Sequence, residues 1–212
     1  MKLKICGMKY LDNIKEVSSL QPDYLGFIFY EKSSRFFEGK LPEIPKQIKK
    51  VGVFVDADIS DIIGKVIKHE LNIIQLHGNE DELYVLRLNI ALRLYSPDVL
   101  VWKVFSIDDH FKFNKLKPFE NKVDKFLFDT KGKQPGGNGF TFNWNILNSY
   151  PSSKPFILSG GIGIDEIDNL KTFFKNDVSK YCYALDINSK FEITPGLKDI
   201  EKLKKINLNY EL

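Results

Sequence analysis

A rhythm in the order of residues constrains this chain more than its composition does. Short runs rich in β-branched and aromatic residues recur along the 212 residues, each followed by a polar loop and, in most cases, by apolar residues at helical spacing. Eight such runs are legible, at residues 3–6, 24–29, 51–55, 73–76, 100–105, 125–128, 155–158 and 183–187. Between them, Ile59, Ile62, Ile63, Val66 and Ile67 form an apolar stripe behind Asp58, which is placed to cap it. Leu11, Ile14, Val17 and Leu20 repeat the pattern more narrowly. So do Ile167, Leu170 and Phe174, behind Asp165 and Glu166, and finally Leu197, Ile200, Leu203 and Ile206. The segments after the second, fifth and sixth runs predict only short or irregular helices. Strand–helix alternation predicts a parallel sheet with right-handed crossovers, and eight units predict an α/β fold of the closed (β/α)8 barrel type, one domain over residues 1–212. An open doubly wound sheet is the alternative. Cys6-Gly7-Met8-Lys9 after the first run, in place of a G-x-G-x-x-G turn, speaks against it.

Composition limits what such a fold does. Apolar residues at 43% and charged residues at 28% are those of a globular protein. A net charge of +3, from 31 basic and 28 acidic side chains, gives no electrostatic ground for a nucleic-acid partner. The longest apolar runs, residues 25–29 and 51–55, fall far short of the ~20 residues of a membrane span. Lys4 interrupts any apolar stretch at the start, so the beginning reads as a strand and not as a signal peptide, and a cytoplasmic location is expected. Two cysteines, Cys6 and Cys182, make no disulfide framework, and both are expected as free thiols. No spacing of His and Cys suits a metal.

In parallel α/β folds, sites gather at the carboxyl ends of the strands. Here those ends carry Cys6; Ser33, Ser34 and Arg35; Asp56; Gln75 with His77-Gly78; Asp129-Thr130; Ser159-Gly160-Gly161; and Asp186 with Asn188-Ser189-Lys190. A closed barrel brings all of them to one mouth. Taken singly, each residue has two readings. Cys6 is either a small buried hydrophobe or a base, and a base needs a lowered thiol pKa. Asp129 either caps a turn or acts as an acid, which an apolar surround would favour by raising its pKa. Arg35 is either a surface arginine or a fork for a carboxylate or a phosphate. His77 reads as a structural histidine more readily than as a proton shuttle. Gly160-Gly161-Ile162-Gly163 before Asp165 suits a phosphate at a helix start, completed by Ser189 and Lys190. Gly136-Gly137-Asn138-Gly139 is a plain loop or a lid. Lys103 would be needed for an alternative Schiff-base chemistry, or it is a solvated strand lysine.

Together these residues resemble the phosphoribosylanthranilate isomerase family. The resemblance is carried in order by Lys4-Ile5-Cys6-Gly7, Gly26-Phe27-Ile28-Phe29 with Ser33 and Arg35, Val51-Gly52-Val53-Phe54-Val55, and Gln75-Leu76-His77-Gly78-Asn79-Glu80. It continues through Phe128-Asp129-Thr130, Gly136-Gly137-Asn138-Gly139 with Phe142-Asn143-Trp144, Leu158-Ser159-Gly160-Gly161, and Asp186 to Glu192 with Pro195-Gly196-Leu197-Lys198-Asp199. It implies a TIM barrel of tryptophan biosynthesis that works without cofactor or metal. The implied reaction converts N-(5-phosphoribosyl)anthranilate to 1-(2-carboxyphenylamino)-1-deoxyribulose 5-phosphate. It implies Cys6 as general base, Asp129 as general acid, and Arg35 facing the anthranilate carboxylate. Gln75, His77 and Asp186 are expected to line the substrate, and Gly160, Gly161, Ser189 and Lys190 to hold its phosphate. The expected partner is this phosphosugar, with no membrane and no nucleic acid, and the expected state is a monomer. Three positions depart from the family pattern: Ser34 for Pro, Asn138 for Thr and Lys190 for Gly. Lys190 adds a charge at the phosphate site, or strain if its φ is positive.

Overall fold

Parallel strands need long crossovers, and the alternation in the sequence supplies them. The computed structural model describes residues 1–130 and 141–207. In chain order it contains β1 (Lys2–Ile5), α1 (Leu11–Ser19), β2 (Tyr24–Ile28), β3 (Lys49–Phe54), α2 (Ile59–His69), β4 (Ile73–Leu76), α3 (Glu82–Tyr95), β5 (Leu100–Ile107) and β6 (Lys125–Thr130). It continues with β7 (Phe156–Leu158), α4 (Ile167–Phe173), β8 (Cys182–Ile187), β9 (Glu192–Thr194), β10 (Leu197–Lys198) and α5 (Ile200–Asn207). Strands β1 to β8 form a closed parallel barrel in sequence order, with β8 returning to β1 through Lys4↔Asp186. The glycine-rich segment 136–139 lies outside the described residues.

The expected strands are all present, with shifted ends. Strand β6 runs through Asp129 to Thr130, so Asp129 lies within the strand. No helix follows β2. Among the described residues, only 3-10 turns follow β5 and β6, at Phe113–Phe119 and Trp144–Ser149, and the first of these contains Pro118, which cannot continue an α-helix. Asp58 stands at the start of α2, but its side chain makes no capping bond; its backbone carbonyl accepts from Asp61 and Ile62 instead.

Two elements depart from the sequence reading. Helix α3 has no clean apolar stripe, because apolar residues lie on both its faces: Val85, Leu88 and Leu92 are buried, while Leu83, Leu86, Ile90 and Leu94 are exposed. Leu197 does not belong to the closing helix. It pairs with Thr194 across the β9–β10 hairpin, which turns at Pro195-Gly196, and α5 begins at Ile200.

Period-two alternation sorts the strand residues. Tyr24, Val51, Ile73, Trp102, Val104, Leu127, Ile157 and Ala184 form one cluster, the barrel interior. Their chain neighbours, such as Leu25, Ile74, Phe126, Phe128 and Leu185, join the larger cluster beneath the helices. Two residues further along four of these strands, on the same inward face, stand Gln75, Asp129, Ser159 and Asp186. The barrel is thus apolar at its waist and polar at its carboxyl end.

Candidate active site

One cavity opens at that end, walled by residues from strands all around the barrel. Cys6, Arg35, Gln75, His77, Asp129, Gly160, Gly161, Asp186, Ser189 and Lys190 all line it. The fold therefore brings every one of the expected site residues together. Tyr30, which carried no signal in the sequence beyond its place after a strand, also lines the cavity.

Cys6 follows β1, and its N–H donates to the Ile187 carbonyl at 2.9 Å. It is level with Gly26 on β2, whose missing side chain makes room: a Cβ there would stand 2.7 Å from the Cys6 Sγ. Two residues earlier on the same face is Lys4, fully buried, with its ammonium 2.9 Å from both Asp186 oxygens. Ser159 Oγ also donates to Asp186, at 3.5 Å. Burial pushes the Cys6 thiol up from its ordinary pKa, and the Lys4 ammonium opposes that push without cancelling it. This direction is opposite to the lowered thiol pKa expected for a base. The physical reason is dehydration, which outweighs a cation that Asp186 already engages. Burial raises Asp186 in the same way, again against Lys4.

Asp129 is buried on β6. One oxygen accepts from the Thr130 N–H at 3.0 Å, within the strand, and the other lies 3.3 Å from His77 Nε2. Gln75 Oε1 is buried and has no hydrogen-bond partner among the described residues. A buried amide oxygen left open at the base of a cavity is an acceptor aimed at a ligand.

Arg35 is no surface arginine. Its Nε and Nη2 clasp the Glu192 carboxylate at 2.7–3.1 Å, and its side chain is 15% exposed. Glu192 was not singled out from the sequence, since no local pattern ties it to a residue 157 positions away.

The Gly160-Gly161 turn follows β7 with φ of +89° and +69°. A Cβ on Gly160 would fall 2.2 Å from Thr130 Oγ1, so only glycine fits. The described residues make no hydrogen bond to the amides of Gly161 and Ile162. The α-helix expected directly behind this turn starts later, at Ile167, after a 3-10 turn at Ile164–Glu166. The anion-binding capacity here belongs to the backbone turn more than to a helix dipole. Lys190 has no positive φ, which removes the strain alternative, and its ammonium pairs with Asp165 at 3.0 Å on the rim.

Lys103 is neither solvated nor free. It is buried, donates to the Gly78 carbonyl at 2.9 Å and pairs with Glu80 at 3.0 Å. Both cysteines are buried free thiols. Among the described residues, no group of three or more His, Cys, Asp or Glu is arranged to hold a metal, and no helix is long and apolar enough to cross a membrane.

Residues 3–208 match the family model for N-(5'-phosphoribosyl)anthranilate (PRA) isomerase. The N-(5'-phosphoribosyl)anthranilate isomerase of Parabacteroides distasonis is 41% identical over 96% of this chain and 90% of its own. Among solved structures, the phosphoribosyl anthranilate isomerase of Thermus thermophilus superposes with a TM-score of 0.80 at 23% identity, over 99% of this chain and 98% of that one. A phosphoribosyl anthranilate isomerase in complex with reduced 1-(o-carboxyphenylamino)-1-deoxyribulose 5-phosphate does so with a TM-score of 0.72 at 26% identity, over 99% and 97%. A barrel whose mouth gathers a thiol, a carboxyl, an arginine and a glycine turn, and which matches this family from end to end, belongs to the N-(5'-phosphoribosyl)anthranilate isomerase family.

Proposed function

We propose that Cys6 and Asp129 carry out the family's isomerisation of N-(5-phosphoribosyl)anthranilate, a step of tryptophan biosynthesis, as general base and general acid. The observation that carries this is their placement: they stand on β1 and β6 sides of one mouth, with Arg35 and the Gly160-Gly161 turn also on its wall. The phosphate sits against the open amides of Gly161 and Ile162, with Ser189 and Lys190 beside it. The anthranilate carboxylate faces Arg35.

Asp129 donates its proton to the furanose ring oxygen as the bond from that oxygen to C1′ breaks. The amine lone pair moves in to form the C1′=N bond of a protonated Schiff base. Cys6, as thiolate, takes the proton from C2′, and the electron pair neutralises the Schiff base to an enolamine. Tautomerisation gives the ketone, 1-(2-carboxyphenylamino)-1-deoxyribulose 5-phosphate. His77 Nε2 stands 3.3 Å from the second Asp129 oxygen, and the open Gln75 Oε1 accepts from a sugar hydroxyl. Asp186, fixed by Lys4, forms a polar wall between acid and base. With the thiol raised, the alkaline limb of the kcat/KM profile belongs to Cys6, the reverse of a base poised below neutrality.

We further propose a monomer in the cytoplasm, a reducing setting that would keep both cysteines as the free thiols they are. Residues 1–212 act as one domain. The test is kcat for Cys6→Ser and Asp129→Asn, followed by loss of anthranilate fluorescence, beside their melting curves. Each variant should fold and lose at least ~10²-fold in kcat. A folded variant turning over at the parental rate removes that residue from the mechanism.

A further inference from the structure

The β9–β10 hairpin brings charge to the mouth from outside the barrel. Glu192 opens it and Lys198 closes it, and Lys198 Nζ lies 2.8 Å from Glu192 Oε1. The Gly196 N–H donates to the same oxygen at 3.0 Å. Lys198 is fully buried, and its ammonium also donates to Asn188 Oδ1 at 2.7 Å. Its backbone is locked to α1, where Asn13 accepts from the Lys198 N–H at 2.7 Å and donates to its carbonyl at 3.0 Å. The hairpin is therefore pinned at one end to a helix of the barrel and at the other to Arg35.

A guanidinium has two edges able to take a carboxylate side by side: Nε with Nη2, and Nη1 with Nη2. Glu192 occupies the first edge with three contacts of 2.7 to 3.1 Å. Among the described residues nothing bonds the second edge, and Arg35 lines the cavity. The cluster also has a charge imbalance. Two cations, Arg35 and Lys198, share one buried anion, Glu192. Among the described residues the cluster holds more cations than anions, although burial lowers the Lys198 ammonium pKa to about 8, and an anionic group on the ligand would complete the balance.

We propose that Glu192 is a positioning residue, which presents the outer edge of Arg35 to the carboxylate of the substrate and so sets the preference for an amine that carries one. This rests on the assignment of Arg35 to that carboxylate. Lys198 keeps Glu192 ionised and in place: burial alone would push the Glu192 carboxyl up, but the bonds from Arg35 and Lys198 hold it below the ordinary value. Without Glu192, Arg35 would keep its charge but lose its fixed orientation, and substrate binding would have to order it.

The experiment is steady-state kinetics on Glu192→Gln, Arg35→Met and the double variant, with inorganic phosphate as competitive inhibitor in each. Glu192→Gln should raise KM roughly ten-fold, the scale of a charge-assisted hydrogen bond, with kcat within about three-fold. In the Arg35→Met background the same change should leave KM where it is, because Glu192 acts through Arg35. Phosphate inhibition should be equal in all four proteins. An unchanged KM in Glu192→Gln, an equal rise in both backgrounds, or phosphate inhibition weakening in step would each overturn the proposal. If Arg35→Met itself leaves KM unchanged, the carboxylate assignment fails as well, and the two failures are told apart. Should Glu192→Gln not fold, because Lys198 loses its anion, Glu192→Gln/Lys198→Met removes both charges and is compared in the same way.

Discussion

Gly26→Ala is a one-carbon change that reads out how tightly the thiol is held. A Cβ on Gly26 would lie 2.7 Å from Cys6 Sγ and 3.1 Å from Cys6 Cα. The Cα is anchored by the Cys6 N–H bond to Ile187 in the barrel wall, so the thiol must give way. Reaching ordinary contact requires a displacement of roughly 0.7–1 Å in a close-packed layer. A shift of that size in a reacting group costs up to ~10²-fold in rate, so kcat/KM should fall about 10- to 100-fold. Overpacking costs about 1–3 kcal/mol, which for a domain of this length lowers Tm by ~2–12 °C. Gly52→Ala is the control. Its Cβ would meet Leu71 Cδ1 at 2.5 Å and the Phe54 ring at 2.8 Å, away from the mouth, so it should lower Tm with kcat/KM intact. The assay is anthranilate fluorescence for kcat and KM, with melting curves on both variants. A Gly26→Ala enzyme within about three-fold of the parent, or a Gly52→Ala enzyme equally impaired, would refute the claim that the thiol position limits the rate.

Inorganic phosphate or sulfate should inhibit competitively, and Gly161→Asp should raise KM strongly, because a carboxylate would occupy the turn meant for the anion; an unchanged KM moves the phosphate elsewhere. His69 is buried against Phe29 with neither ring nitrogen bonded among the described residues, and its pKa is pulled down to about 4, chiefly by burial. Between the unfolded value of ~6.5 and that folded value, only the unfolded chain takes up the proton, so stability falls as pH drops through this window. His69→Leu should abolish that contribution, and its Tm relative to the parent should climb as pH is lowered from 6.5 to 4; a constant Tm difference would show that His69 does not titrate this way.

The sequence by itself determined the barrel and the membership of its mouth. Both rest on short-range regularities: the period-two alternation that turns Gln75, Asp129, Ser159 and Asp186 inward, and the rule that strand ends of a parallel barrel share one face. Ten residues, two of them glycines, could be assigned to one site because each lies near the carboxyl end of a strand or in the loop that follows it. Helix α3 is hard to read from sequence because exposed Leu83, Leu86, Ile90 and Leu94 blur its buried stripe, and Leu197 is ambiguous because an apolar residue three before Ile200 fits a helix as well as it fits a hairpin. Only the tertiary structure decided which charges meet. Lys4 finds Asp186 across 182 positions, Arg35 finds Glu192 across 157, and Lys103 turns out to belong to Glu80. No local pattern encodes such partners, since they are fixed by barrel closure and by the hairpin that folds back over it. The same holds for the Cys6 thiol. Its place at a strand end is written in the chain, but the balance between dehydration and the Lys4 ammonium, which sets its proton affinity, exists only once the barrel has closed around it.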